Sequence, residues 1–124
     1  MFDPSHQLVC AADVDELDAV RRQFRGRLDD AGVHPAIARE MMLAFTEIAT
    51  PRDNGSTDGV KIVSDLAITH EDLVLRVQTA VSLVGSERDS GEQDLMLHLM
   101  ADEVQRVIDG DQVVVTVSKR RLGR

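Results

Sequence analysis

The sequence lacks the aromatic and basic residues on which nucleic-acid binding depends. It contains no Trp, no Tyr and only three Phe, so it offers no evident stacking surface for bases. Its 22 acidic side chains outnumber its 14 basic ones, which gives a formal charge of −8. Because phosphate contacts need clustered Lys and Arg, we expect no nucleic-acid partner.

Cysteine and long apolar runs are equally scarce. Cys10 is the only cysteine, which excludes an intramolecular disulfide and a cysteine-based metal site. We expect Cys10 to be a small buried side chain, although a pairing with a histidine stays open. The four histidines are scattered, without the spacing of metal ligands. No run approaches the roughly 20 apolar residues of a membrane span, and no secretory signal is recognisable, so we expect a cytoplasmic protein without membrane contact.

The first half of the sequence predicts one strand and two helices. A short apolar strand covers residues 6–12. A helix follows, which Asp13 caps at its start and Gly32 at its end. A second helix begins at Pro35 and stops before Pro51, and the polar stretch after it is typical of a loop.

The second half predicts a hairpin, a helix and a last strand. Residues 60–68 and 73–81 alternate as two strands of an antiparallel hairpin. A loop over 83–92 leads to a third helix over 92–108, and residues 112–118 form the last strand. The predicted core face of the third helix comprises Leu95 or Met96, Leu99, Met100, Val104 and Val107.

The order of these elements predicts the fold class. The order β-α-α-β-β-α-β requires each helix to bury one face against a sheet. We therefore expect an α/β protein, an α+β two-layer sandwich, with a mixed and mostly antiparallel sheet covered by helices on one face. Residues 1–124 form a single domain, with a short flexible tail at 119–124.

Basic residues cluster at two places in this acidic chain. A local basic patch on an acidic protein favours an acidic protein partner, although solvated ion pairs are the simpler explanation for any single arginine. The first cluster is Arg21, Arg22, Arg25 and Arg27, and the second is Lys119, Arg120, Arg121 and Arg124.

Three stretches of the sequence occur in an order that is known from one family. The first is DELDAVRRQFRGRLDDAGVHPAIAREMMLAFTEIAT, the second GVKIVSDLAITHEDLVLRVQ and the third GEQDLMLHLMADEVQRVIDGDQVVVTV. In this order they resemble the opening helices, the central hairpin, and the last helix and strand of the anti-sigma factor serine kinases. These kinases belong to the GHKL (histidine kinase-like, Bergerat) ATPase superfamily. The resemblance covers nearly the whole chain and implies the GHKL fold.

The resemblance also implies where a nucleotide would bind, and there the chain departs from the family. The N-box of the family is Glu-x-x-x-Asn, in which the glutamate activates the attacking hydroxyl and the asparagine binds magnesium. Glu47 matches the glutamate, but Pro51 stands at the asparagine position and has no oxygen for a hard cation. Asp53 or Asn54 is a possible substitute ligand, although both fit a simple turn better. Without the metal, Glu47 is a remnant or an ordinary surface carboxylate.

The adenine box of the family is equally altered. Its pattern is Asp-x-Gly-x-Gly, and the corresponding residues here are Thr79, Val81 and Leu83. Side chains at positions built for glycine crowd the backbone. We therefore expect no cofactor, neither ATP nor magnesium, and no metal.

Three functions follow from these observations. The first is an anti-sigma-like regulatory protein that has lost ATP and binds a sigma factor or an anti-anti-sigma protein through Arg21, Arg22 and Arg25. The resemblance also implies homodimers. The second is an active serine kinase that uses ATP and magnesium to phosphorylate an anti-anti-sigma partner. The third is an unrelated α+β ligand-binding module with an apolar pocket beneath the 82–91 loop.

Overall fold

Strands from both halves of the chain form one sheet, which carries the three helices of the described residues. The computed structural model describes residues 7–49, 60–80 and 87–121, except for the side chains of 87–90. The strands are β1 (Leu8–Ala11), β2 (Lys61–Ile68), β3 (Asp72–Ala80), β4 (Glu103–Asp109) and β5 (Gln112–Arg120); the helices are α1 (Val14–Asp30), α2 (Pro35–Ala49) and α3 (Glu87–Met100).

The sheet has the order β1-β2-β3-β5-β4, and all of its neighbouring strands in the described residues are antiparallel. Strand β3 lies at the centre, where Leu75 is opposite Leu66 of β2 and Val117 of β5. Its side chains alternate between fully buried and half-buried along the whole strand. Only one face of the sheet is therefore covered by helices, which confirms the predicted α+β class.

Helix α1 begins as its sequence predicts. The Asp13 side chain accepts hydrogen bonds from the backbone N–H groups of Asp15 (2.8 Å) and Glu16 (3.3 Å). In a capping box the Glu16 carboxylate would accept from the N–H of Asp13. Here it accepts from the N–H of Ala11 instead (3.1 Å). This bond ties the start of α1 to the end of β1. At the other end, Gly32 adopts a φ of 75°, which a residue with a side chain rarely tolerates.

The two first helices pack together through their predicted apolar faces. Leu17, Val20, Phe24 and Leu28 of α1 are all buried, as the spacing predicts. Phe24 meets Phe45 of α2 edge to face, with ring centroids 5.7 Å apart, and both rings are completely buried. This contact fixes α2 beside α1 on the sheet.

The predicted third helix is too long, which is a correction to the expected order of elements. The chain leaves the helix after Met100 and forms strand β4 over residues that the sequence analysis places in the helix. The local pattern of this segment fits both structures. Val104, Arg106 and Ile108 share one face of a strand, whereas Val104 and Val107 share one face of a helix. Gly110 and Asp111 decide the matter, since they form a two-residue turn between Asp109 and Gln112 and lead the chain back so that β4 pairs with β5. A Gly-Asp pair between apolar runs is a hairpin signal, and here it outweighs the helical period.

The predicted core face of α3 is also wrong. Leu97 and Gln93 are the fully buried residues of this helix. Leu95, Met96 and Leu99 are exposed instead. Met100 and Val104 do pack partly against the core, whereas Val107 is exposed on β4.

The basic tail begins later than predicted. Lys119 and Arg120 are the last residues of β5. Arg121 donates hydrogen bonds to the carbonyl oxygens of Thr69 (3.0 Å) and Ala31, so it ties the end of β5 to the α1–α2 turn. Residues 122–124 lie outside the described residues.

Cys10 is buried in β1 and has a free thiol, as expected. Its pKa is raised above the ordinary value of 9.0, first because burial disfavours the thiolate and second because Glu16 is negatively charged. A raised pKa means that the contribution of this thiol to stability is intact below the pKa of the unfolded chain. It is lost as the pH rises through the higher pKa of the folded protein.

We predict that iodoacetamide alkylates Cys10 of the folded protein much more slowly than Cys10 of the urea-unfolded chain at pH 8, because the thiolate is the nucleophile. Mass spectrometry of the alkylated product measures both rates, with the Cys10→Ser variant as the blank. Equal rates would show that the thiol is neither covered nor perturbed.

Candidate functional site

The candidate site lies where α2 ends beside α3. Glu47 is in the last turn of α2 and is half-buried. The other altered N-box residue, Pro51, lies outside the described residues, as do Val81 and Leu83 of the adenine box. Asp53 and Asn54, the possible substitute ligands, lie outside them too. The geometry therefore concerns Glu47, Thr79 and their neighbours.

Thr79 is sealed under the helices. It lies on the covered side of β3, directly opposite Val113 of β5, and its exposed fraction is 0%. Its hydroxyl has no hydrogen-bond partner within the described structure. The Thr79 hydroxyl extends less far from the backbone than the carboxylate of an aspartate would. A ligand reaches this hydroxyl only if the residues packed over it move.

Gln93 of α3 joins three elements at this position. Its side chain is completely buried. The Gln93 Nε2 donates to the backbone carbonyl of Glu47 over 3.1 Å, and its Oε1 accepts from Arg106 Nη2 of β4 over 2.6 Å. The same Arg106 nitrogen is 2.6 Å from Asp94 Oδ1. We call these four residues, Gln93, Glu47, Arg106 and Asp94, the Gln93 clamp.

The clamp has a clear physical role at the end of α2. The last four carbonyl groups of a helix have no partner within the helix, and Glu47 supplies one of them. The Gln93 amide satisfies that carbonyl. Arg106 adds a positive charge close to the negative end of the helix dipole. The clamp thus fixes both the end of α2 and the rotation of α3.

The guanidinium of Arg106 is only partly satisfied. Its side chain is 14% exposed, and its Nε and Nη1 atoms are buried without hydrogen-bond partners in the described structure. Burying these two donors without partners costs free energy, and the hydrogen bonds that Nη2 makes offset part of that cost.

The predicted partner-binding arginines of α1 differ in their availability. Arg21 pairs with Asp18 and donates to Thr46 Oγ1 (2.8 Å), which binds α1 to α2. Arg25 pairs with Asp29 over 3.1 Å. Arg22 is exposed and has no ion pair within the described residues.

Arg27, the fourth basic residue of this cluster, is structural. Its Nη2 donates to the carbonyl of Leu66 in β2 over 2.6 Å. This bond fastens the last turn of α1 to the sheet. Arg22 is therefore the arginine of α1 that is best placed to meet a partner.

A cleft of about 870 Å³ lies at the other end of α2, far along the helix from Glu47. Two of its charged side chains form an ion pair, and a third accepts a hydrogen bond from the backbone. Lys119 is 3.1 Å from Glu40, and the Arg120 N–H donates to Asp102 over 2.6 Å. The pocket that the third hypothesis places beneath the 82–91 loop is a different one. Residues 82–86 of that segment lie outside the described residues, and its later residues belong to α3.

Sequence reasoning missed Gln93 and Arg106 as site residues. Both lie in the stretch that the helical period assigns to one long helix, so their meeting across the α3–β4 turn is not foreseeable from that assignment. The Gly110-Asp111 turn after β4 is the signal that would have placed Arg106 on a strand instead of on the helix.

Metal and membrane features are both absent from the described part of the chain. No three His, Cys, Asp or Glu side chains within it are grouped to hold a metal ion. None of the described helices is long and apolar enough to cross a membrane.

A solved structure with a similar fold is that of the RsbU and RsbW domains of Rv1364c from Mycobacterium tuberculosis. The TM-score is 0.66 at 17% identity, and the match covers 92% of this chain and 32% of that chain. The fold resembles the RsbW type. The five-stranded antiparallel sheet with three helices agrees with the GHKL fold that the sequence resemblance implies. No family model and no curated protein matches the sequence, and the chain spans about a third of the length of the RsbU–RsbW chain.

We predict that Gln93→Ala lowers the free energy of unfolding by about 1–3 kcal/mol, because it leaves the Glu47 carbonyl and the Arg106 guanidinium without their buried partner. Urea denaturation measures the change. The exposed Gln105 of β4 provides the matched control, and Gln105→Ala should change stability by less than about 0.5 kcal/mol. Equal effects of the two substitutions would show that the clamp does not contribute to stability.

Proposed function

We propose that this protein is an anti-sigma-like regulator that binds a protein partner and has lost the binding of ATP and magnesium. The observation that carries the proposal is the Gln93 clamp. A side chain of α3 reaches the backbone of Glu47, so α3 packs against the end of α2 beside the N-box glutamate. The fold resembles that of a regulatory kinase domain, and we infer from this packing that a nucleotide has no room beside Glu47.

The described residues of the site do not fit a magnesium nucleotide. In the family that the sequence resembles, an aspartate on the strand after the hairpin turn binds the adenine amino group. Here Thr79 offers one fully buried hydroxyl at that position. Pro51, the substitution at the magnesium ligand, has no side-chain oxygen. We infer that Glu47 is a remnant, which leaves serine kinase activity as the weaker of the two candidate functions.

The exposed side of α1 is the surface that we propose for partner binding. Arg22 supplies an available positive charge there. Its neighbours Arg21 and Arg25 are partly neutralised by their ion pairs with Asp18 and Asp29. Charges at the rim of an interface set its orientation and association rate more than its strength. An acidic surface on a sigma factor or an anti-anti-sigma protein fits this requirement, and a homodimer of the domain is compatible with it.

We predict that Arg22→Glu weakens capture of the physiological partner about ten-fold or more, with little change in the stability of the domain. The immobilised protein is incubated with native cell extract, and the retained protein is identified and quantified by mass spectrometry. Arg39→Glu on α2 is the matched control, since Arg39 is also exposed.

The outcome distinguishes the interface from general charge effects. A partner that is retained by the wild type and by Arg39→Glu, but lost by Arg22→Glu, supports the α1 surface. Equal retention by all three proteins would remove Arg22 from the interface.

A further inference from the structure

Strand β4 ends the sheet on one side, and its outer side is open. The sheet order places β4 beside β5 alone, and within the described residues no strand pairs with the other side of β4. Alternate residues of such a strand direct their backbone N–H and C=O groups away from the neighbouring strand. These groups form a row of unpaired donors and acceptors on which another chain can add a strand. We call the outer side of Glu103–Asp109 the β4 edge.

The β4 edge is long and regular. Strand β4 has 7 residues, and each is paired one to one with a residue of β5, without a bulge. The other edge strand of the sheet, β1, has only 4 residues. Proteins usually protect an exposed edge by shortness, a bulge, proline, lysine or an inward charge. Strand β4 has only the last of these, Arg106, and the ion pair with Asp94 partly neutralises that charge.

Apolar side chains are exposed along the β4 edge. Val107 is opposite Val114, which alternates with the buried residues of β5, so Val107 lies on the helix-free face of the sheet. Ile108 points to the other face, because successive side chains of a strand alternate. The two side chains are 61% and 63% exposed. An added strand would bring its own side chains beside both of them, and such cross-strand pairs of β-branched residues stabilise a sheet.

Both ends of the β4 edge are acidic. Glu103 and Asp109 lie on the same helix-free face as Val107, because an even number of positions separates them. Asp102 precedes the strand and Asp111 lies in the turn after it, and all four acidic side chains are exposed. The β4 edge therefore carries negative charge at each end and apolar side chains between.

Basic side chains near the β4 edge are few, and each faces an acidic or polar group of its own chain. Residues 91–118 contain Arg106 as their only Lys or Arg, and its guanidinium is bonded within the Gln93 clamp. At the end of β5, Lys119 forms an ion pair with α2, and Arg120 is opposite Asp72 of β3. The acidic ends of β4 are thus accessible to basic groups of a partner.

This charge pattern disfavours a second copy of the chain as the added strand. Antiparallel pairing of two β4 strands over their full length is centred on Arg106 and places Glu103 of each copy opposite Asp109 of the other. Like charges directly opposite each other destabilise strand pairing. An extended segment with a basic residue near each end has the complementary pattern.

We propose that the β4 edge binds an extended segment of a protein partner, which adds a strand to the sheet and carries Lys or Arg beside Glu103 and Asp109 with β-branched residues between them. Backbone hydrogen bonds supply the attachment, and the side-chain pairs supply the selectivity. The binding goes beyond the function proposed above and needs neither the α1 surface nor a nucleotide. Since Arg22 on α1 suits an acidic partner, the two surfaces select partner segments of opposite charge.

The test uses designed peptides of about nine residues, which span β4 with one residue to spare at each end. The basic peptide alternates Thr and Val between two lysines whose spacing equals that of Glu103 and Asp109, and the acidic peptide has Glu in place of both lysines. Fluorescence anisotropy measures their affinities for the full chain. We expect the basic peptide to bind at least about ten-fold more tightly than the acidic one. In NMR spectra, the amide protons of alternate β4 residues should exchange more slowly when the basic peptide is bound, whereas those of β1 should not change.

A backbone modification separates strand addition from charge attraction. Two further versions of the basic peptide are N-methylated at alternate residues, one at the even positions and the other at the odd positions. Only one edge of an added strand faces β4, so one set of methyl groups replaces the N–H donors of the new strand pair while the other set faces solvent. We expect one version to bind at least about ten-fold more weakly than the other.

Two sets of variants assign the binding to the β4 edge. Val107→Lys places a lysine in the middle of the edge and should weaken the basic peptide at least about ten-fold. Val9→Lys is the matched control, because Val9 lies on the other edge strand, in the same row of the helix-free face, and is likewise 61% exposed. Both positions are exposed, so folding should be retained. The charge-reversal variant Glu103→Lys with Asp109→Lys should move the preference toward the acidic peptide.

Several results would overturn the proposal. These are equal affinities for the basic and the acidic peptide, equal affinities for the two N-methylated versions, no binding of any peptide up to about 1 mM, or equal effects of Val107→Lys and Val9→Lys. Slower exchange of the β4 amides at higher protein concentration, without peptide, would assign the edge to a second copy. No step involves ATP or Arg22, so a failure here is distinguishable from a failure of the function proposed above.

Discussion

The hydrogen bonds of one buried carboxamide organise the region where α3 meets the end of α2 and β4. Gln93 accepts from Arg106 and donates to the carbonyl of Glu47, so it joins β4, α3 and the end of α2. Each bond satisfies a group that would otherwise be buried or left at a helix end without a partner. With both bonds in place, α3 is rotated so that Gln93 and Leu97 face the core. That rotation turns Leu95 and Leu99 to the surface.

Two consequences follow from this arrangement. At the inner side of α3, the Gln93 side chain fills the space beside the Glu47 carbonyl. At the outer side, Leu95, Met96 and Leu99 are exposed. The same contact therefore accounts both for the packing beside Glu47 and for the exposure of these apolar side chains. Arg22 on α1 adds a separate basic surface.

Much of the fold is predictable from the sequence because its elements carry local signals. Asp13 and Gly32 bound α1, and the apolar period of α1 and α2 gives the contact between Phe24 and Phe45. The boundary between α3 and β4 is different. It depends on the pairing of β4 with β5, a contact between strands that the helical period of residues 92–108 conceals. The buried Gln93 is unpredictable for a related reason, since its partners come from two other elements.

The resemblance to the anti-sigma factor serine kinases identifies the fold, and the structure agrees with it. Function depends on the site and not on the fold. The most direct measurement is a titration of the isotopically labelled protein with magnesium and ATP, followed by the NMR signals of Glu47, Thr79 and the Gln93 side-chain amide. The account predicts no saturable shift of these signals up to about 1 mM nucleotide. A saturable shift of all three, with loss of the Gln93 bond to Glu47, would contradict it.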